Sequence, residues 1–143
     1  MAMGAWWICT GLIGTHEVEN ARLDEDCKRY LSKALPPILN TWSFPEWSRR
    51  STTELKASVN LKKWERDFKD YRRLFGELRR VTKPVGRIAV DDSGGVTETL
   101  GLYTVSCRFE KGTADIAMKL VKRQGGWKFQ QFLIRSDMIV SDD

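Results

Sequence analysis

The chain has 143 residues, of which 41% are hydrophobic and 30% charged, with a net charge of +5. That length supports one domain whose single core buries roughly two-thirds of the unfolded surface, and the composition excludes a disordered or low-complexity polymer. The charge is local: residues 15–26 hold five acids against Arg22, and residues 61–80 hold eight Lys or Arg against four acids, which argues against a uniformly polyanion-binding surface.

Ala2 to Gly14 is an uncharged apolar run. Thirteen residues in a helix extend about 20 Å, short of the ~30 Å hydrocarbon core. Neither a preceding cation nor an Ala-x-Ala cleavage site marks it as a complete secretory signal. Three readings stay open: the tail of a membrane anchor that starts upstream, an interfacial anchor, or a buried segment. We favour an anchor, with Trp6, Trp7, Leu12 and Ile13 as its membrane contacts. The acid-rich residues after it lack a cytoplasmic Lys and Arg excess, which places the domain in the cell envelope, facing the periplasm; a cytoplasmic location is the alternative. The chain thus divides into an apolar segment, 1–16, and a folded domain, 17–143.

A first helix is expected from Val18 to Leu35, with Leu23, Cys27, Tyr30, Leu31, Ala34 and Leu35 near one stripe and Pro36-Pro37 stopping or kinking it. Ser43-Phe44-Pro45-Glu46 is a capping box that opens a short helix carrying Trp47. Ser51-Thr52-Thr53-Glu54 repeats the signal for a short turn through Leu55. From Asn60 as N-cap, a third helix sets Leu61, Trp64, Phe68, Tyr71 and Phe75 on one face and ends at Gly76. Its Lys62, Lys63, Arg66, Lys69, Arg72 and Arg73 would suit phosphates or anionic lipid. The interleaved Glu65, Asp67 and Asp70 instead offer pairs such as Glu65 with Lys69 and Arg66 with Asp70, the pattern of a solvated, self-paired face, and nucleic acid is not the expected partner.

Leu78 to Val90 reads as a strand that Pro84 confines to a sheet edge or breaks in two. After the loop at Asp91-Asp92-Ser93-Gly94-Gly95, three strands follow on period-two alternation. Tyr103, Val105, Cys107 and Phe109 line one face of the first; Ala114, Ile116, Met118 and Leu120 line the second after a turn at Gly112. The third starts with Trp127 and Phe129, then switches parity to Phe132 and Ile134. Those registers share a face only if an extra residue is inserted, so a β-bulge is expected near Gln130-Gln131. The fold class is therefore α+β: three N-terminal helices packed on a curled four-stranded antiparallel sheet.

The order of elements resembles the cystatin-like cone of the nuclear-transport-factor-two-like superfamily. Tyr103, Val105, Cys107, Phe109-Glu110-Lys111-Gly112 and Ala114, then Leu120-Val121-Lys122, Gly126-Trp127-Lys128-Phe129, Phe132, Ile134 and Ser136, are similar to a group of small bacterial envelope proteins of uncharacterised function. The resemblance covers residues 20–137 and implies membrane anchoring plus one cone domain. Assembly components of type IV secretion systems resemble this layout. The resemblance also implies frequent dimerisation through the open sheet face.

Enzymes of that superfamily resemble one another in using a carboxylate or an Asp-His pair inside the cone. Here the sole histidine, His16, precedes the predicted domain, so neither that dyad nor a Ser-His-Asp set is expected. Asp115 falls on the sheet face away from the helices and reads as a solvated acid. Cys9, Cys27 and Cys107 match no metal spacing; Cys27 and Cys107 would either bridge in an oxidising compartment or remain buried thiols. No cofactor and no metal is expected. The leading expectation is a non-enzymatic binding or scaffold domain, an accessory or assembly subunit of a bacterial envelope complex. The alternative is a small-ligand-binding or enzymatic cone whose apolar pocket is lined by Trp64, Phe68, Tyr103, Val105 and Trp127, residues that equally suit a plain core.

Overall fold

The computed structural model describes residues 15–139. Among them the order is β1 (Thr15–Val18), α1 (Ala21–Leu39), α2 (Phe44–Arg49), α3 (Thr53–Ser58), α4 (Leu61–Phe75), β2 (Leu78–Val81), β3 (Val85–Asp91), β4 (Glu98–Phe109), β5 (Thr113–Arg123) and β6 (Gly126–Arg135). The strands form one open antiparallel sheet in the order β1-β3-β4-β5-β6, with β2 paired to β4 beyond the end of β3. The α+β class stands, with four helices rather than three and six strands rather than four.

Each difference has a local cause. Asn20, Ser43, Thr52 and Asn60 each cap a helix by accepting the N–H of the residue three positions on. The cap expected at Ser51 falls one residue later, at Thr52, and a helix rather than a single turn follows it, while Ser51 Oγ donates to the Trp47 carbonyl. Pro84 divides the expected edge strand into β2 and β3, each pairing with a different part of β4. Thr15–Val18, half of which fell in the expected N-terminal segment, is a strand on β3, with His16 opposite Val90.

Helix α1 also passes through Pro36 and Pro37 to Leu39. The carbonyls those prolines leave without N–H donors belong to Ser32 and Lys33, both on the exposed side where water can serve them. Ile38 and Leu39 in the final turn are completely buried, so packing outweighs the propensity cost.

The helices cover one sheet face. Cys27, Leu31, Leu35 and Ile38 of α1 and Phe68 and Phe75 of α4 share a core with Tyr103, Val105, Ile116, Met118, Leu120, Phe129 and Phe132. Leu61, assigned to the same stripe of α4, is instead 38% exposed at the helix start. Trp42 packs against both Phe75 and Phe109, its ring centroid 5.6 and 5.5 Å from theirs, while those two rings lie 5.0 Å from each other. Its backbone φ is 50°, a conformation a bulky residue rarely adopts.

In β6 the bulge falls where parity demanded it. Lys119 pairs with Gln131 and Leu120 with Phe129, so Gln130 is the inserted residue. Phe129 then turns inward together with Phe132, and their rings meet edge-on at 5.2 Å. The linker between α2 and α3 runs beside the bulge, the Phe129 N–H donating to the Arg50 carbonyl at 2.8 Å and the Thr52 N–H to the Phe129 carbonyl at 2.9 Å.

On the opposite sheet face lies a second apolar cluster of Ala89, Leu100, Leu102, Ala117 and Val121. Asp115 shares that face, as its parity predicts, and accepts a hydrogen bond from Ser106 Oγ at 2.8 Å. On α4 the ion pairs are Lys63 with Asp67 at 2.8 Å and Arg73 with Asp70 at 4.0 Å. These are different partners from the pairs expected, though the self-paired character is the same.

Candidate functional site

The five residues assigned to an apolar pocket do not line one cavity. Trp64 and Phe68 of α4 border a cleft of about 210 Å³ with Phe132 and Leu133, and Trp64 packs against Trp47 with ring centroids 4.7 Å apart. Val105 is completely buried in the shared core. Tyr103 is buried as well, and its hydroxyl donates to Asp24 Oδ1 at 2.5 Å. Trp127, at the start of β6, donates its indole N–H to Asp26 Oδ2 at 2.9 Å, with Lys122 Nζ 5.5 Å from its ring centroid. The membrane-contact residues Trp6, Trp7, Leu12 and Ile13 lie outside the described residues.

The acids of α1 were read only as a charge run, yet two of them tie the helix to the sheet. Burial pushes the Asp24 carboxyl up, but hydrogen bonds from Tyr103 and Lys28 outweigh it and leave the group below the ordinary range. The Trp127 hydrogen bond does the same for Asp26, against a smaller opposing effect of burial. Burial, and then the bond to Asp24, push the Tyr103 phenol far up. The sequence signal for this pairing was the inward parity of Tyr103, since a buried tyrosine hydroxyl needs an acceptor. The partner was not readable, because it lies across the fold.

Cys27 and Cys107 are free and buried. A Cβ built on Gly101 would stand 2.7 Å from Cys27 Sγ, so Cys27 packs at Gly101. Cys107 lies farther along β4, roughly 20 Å away at ~3.3 Å per residue, beyond the ~7 Å Cα separation a disulfide spans. Of the two readings, the thiols hold. Burial raises both, Cys107 to about 12, so neither presents a thiolate near neutrality.

One of the surface clefts among the described residues is a groove between α1 and β2. Leu31, Leu35 and Pro36 form one wall, Leu78 and Val81 the other, with Arg79, Arg80 and Lys83 at the rim, enclosing about 380 Å³. Strand β2 pairs with β4 alone among the described residues, so its other edge, beside the groove, presents backbone N–H and C=O groups to an incoming chain. Leu78 pairs with Phe109 and Arg80 with Arg108, which makes Arg79 a bulged residue on this edge. Only the Pro84 break hinted at an edge here; that α1 lies beside it was not readable, because the helix and the strand meet across the fold.

Fold and site together define an α+β domain with a buried aromatic core and a groove lined by basic residues at a sheet edge. No protein-family model, curated protein or solved structure matches the chain.

Proposed function

We propose that this is a non-enzymatic binding domain of the nuclear-transport-factor-two-like, cystatin-like type, an accessory or assembly subunit of a bacterial envelope complex held at the membrane through Trp6, Trp7, Leu12 and Ile13. The observation that supports binding over catalysis is that Phe68, Tyr103 and Val105, which a cone enzyme would array around substrate, are buried among other side chains at 1%, 0% and 0% exposure. The buried thiols and the pinned Tyr103 leave little room for nucleophilic or acid–base work.

The sheet face expected to form a homodimer carries side chains already buried within one chain. We therefore favour the α1–β2 groove as the partner surface. An extended segment of a partner adds there as a strand alongside β2, seats apolar side chains against Leu31, Leu35 and Leu78, and places acids near Arg79, Arg80 and Lys83.

Detergent extraction of the tagged native protein, followed by sizing and identification of co-purifying chains, tests this reading. A stoichiometric complex that is lost from Arg80→Glu/Lys83→Glu, with the circular dichroism spectrum unchanged, is the expected result. A lone species from the parent, or a complex indifferent to the charge reversal, overturns it.

A further inference from the structure

We propose that the segment received beside β2 is one in which acidic and apolar residues alternate, its acid set against the cross-strand pair Arg80 and Arg108 and its apolar side chains turned into the groove. This rests on strand addition at the α1–β2 groove and names the chemistry of the strand that adds. Strand β2 differs on its two sides. Leu78 pairs with Phe109 and Val81 with Cys107, and all four belong to the core beneath the helices or pack against it. Arg80 pairs with Arg108. Paired residues project from the same side of a sheet, and successive residues of a regular strand from opposite sides. Arg108, between the inward Cys107 and Phe109, therefore lies with Arg80 on the side away from the helices, where both residues are exposed.

Like charges directly opposite each other on a sheet repel and destabilise the pairing. Neighbouring groups do not relieve this pair. Arg79 has Glu77 at 3.3 Å, and Glu110, past the end of β4, accepts the Glu77 N–H at 3.4 Å. Asp115 on the outer side stands opposite Ser106 and Arg135 and accepts from Ser106 Oγ at 2.8 Å. Among the described residues Arg80 and Arg108 form no ion pair. Two guanidinium groups thus stand side by side, one of them on the strand whose other edge is open, without an acid from the same chain.

A strand added to that edge lies about 4.8 Å from β2 and sets one side chain directly opposite Arg80, at a Cβ separation of about 5 Å. A Glu or Asp there offsets the repulsion between the arginines and accepts charge-assisted hydrogen bonds. A Lys repeats the repulsion, so the same pair that attracts an acidic strand rejects a basic one. The residues before and after the acid turn to the other side of the sheet, toward Leu78 and Val81 of β2 and Leu31 and Leu35 of α1. The pattern selected is apolar, acid, apolar.

The test is fluorescence anisotropy of the full chain with a short labelled peptide of alternating Val and Glu, beside peptides of equal length carrying Gln or Lys in place of Glu. The Glu peptide is expected to bind several-fold more tightly than the Gln peptide, and the Lys peptide most weakly. Arg108→Ser is expected to remove most of the advantage of Glu over Gln while leaving the affinity for the Gln peptide unchanged. Lys69→Ser, which takes the same charge from α4, is expected to leave the preference as it is. Hydrogen exchange locates the contact, with the backbone N–H groups of Leu78–Val81 slowed by the Glu peptide. Slowed exchange there with equal affinity for Glu and Gln, or with a Glu preference unmoved by Arg108→Ser, overturns the selection of acids and leaves strand addition standing. Binding that leaves β2 exchange unchanged, or no binding by any of the peptides, overturns strand addition and this inference together.

Discussion

Gly86 lies in β3 opposite Tyr103, and a Cβ there would come 1.8 Å from the Leu102 carbonyl oxygen. Backbone cannot withdraw as a flexible side chain can, so the strands would have to separate. Gly86→Ala is expected to destabilise by about 2 kcal/mol or more, at the upper part of the ~1–3 kcal/mol range for overpacking. Gly94 is the control: nothing lies within 4 Å of its added Cβ, and Gly94→Ala is expected to stay within about 0.5 kcal/mol of the parent. Urea denaturation of the two variants measures the contrast, and equal stabilities would mean that β3 and β4 do not approach so closely. No local pattern separates these two glycines, because the difference is made by a strand that approaches from elsewhere in the chain.

Thr52 ties a cap to a strand pairing. Its Oγ1 accepts the Leu55 N–H at 3.0 Å while its own N–H donates to the Phe129 carbonyl, and the residue is 4% exposed. Thr52→Ala leaves a buried donor without its partner, and about 1–2 kcal/mol of destabilisation is expected. Asn60→Ala removes a cap at an exposed position, where water replaces the lost acceptor and the cost is nearer ~0.5–1 kcal/mol. Thermal melts of both variants give the ranking, and an Asn60 cost exceeding that of Thr52 would show that burial does not govern cap strength here. At this scale much was legible in the sequence: the Ser43 and Asn60 caps, the break at Pro84, and a bulge that parity alone placed beside Gln130; the capping box read from Ser51 starts one residue later, at Thr52. The passage of α1 through Pro36-Pro37 was not, since local propensity opposes it and only the burial of Ile38 and Leu39 explains it. The candidate groove was hidden for another reason: its α1 wall, Leu31 and Leu35, lay in the expected helix, but its meeting with β2 is a contact across the fold.

Across the whole molecule the ionisable groups predict an asymmetric dependence of stability on pH. Tyr103, Cys27 and Cys107 are all raised in the folded state, chiefly by burial. Their contribution is complete below the unfolded values, about 8.5 for a thiol and about 10 for a phenol, and is lost as pH rises above those values, because the unfolded chain then releases protons that the fold retains. Asp24 and Asp26 are lowered, so their contribution is present above about pH 4 and is lost as pH falls through their folded values. The two limbs differ in weight. The side chain of Asp26 is 45% exposed and that of Asp24 29%, so solvent screens much of what their partners supply, whereas the phenol and both thiols lie on fully or almost fully buried residues. The melting temperature is therefore expected to be level between about pH 5 and 8, to fall gently below about pH 4 and to fall more steeply above about pH 9. Calorimetry across this range, with Tyr103→Phe run alongside, isolates one contributor. The variant begins less stable, having lost the bond to Asp24, but it should lose less between about pH 9 and 11, since one group that resists ionisation is gone. Parallel alkaline slopes for parent and variant would mean that the Tyr103 hydroxyl reaches solvent, and the tie between α1 and β4 would then contribute little to holding the helices on the sheet.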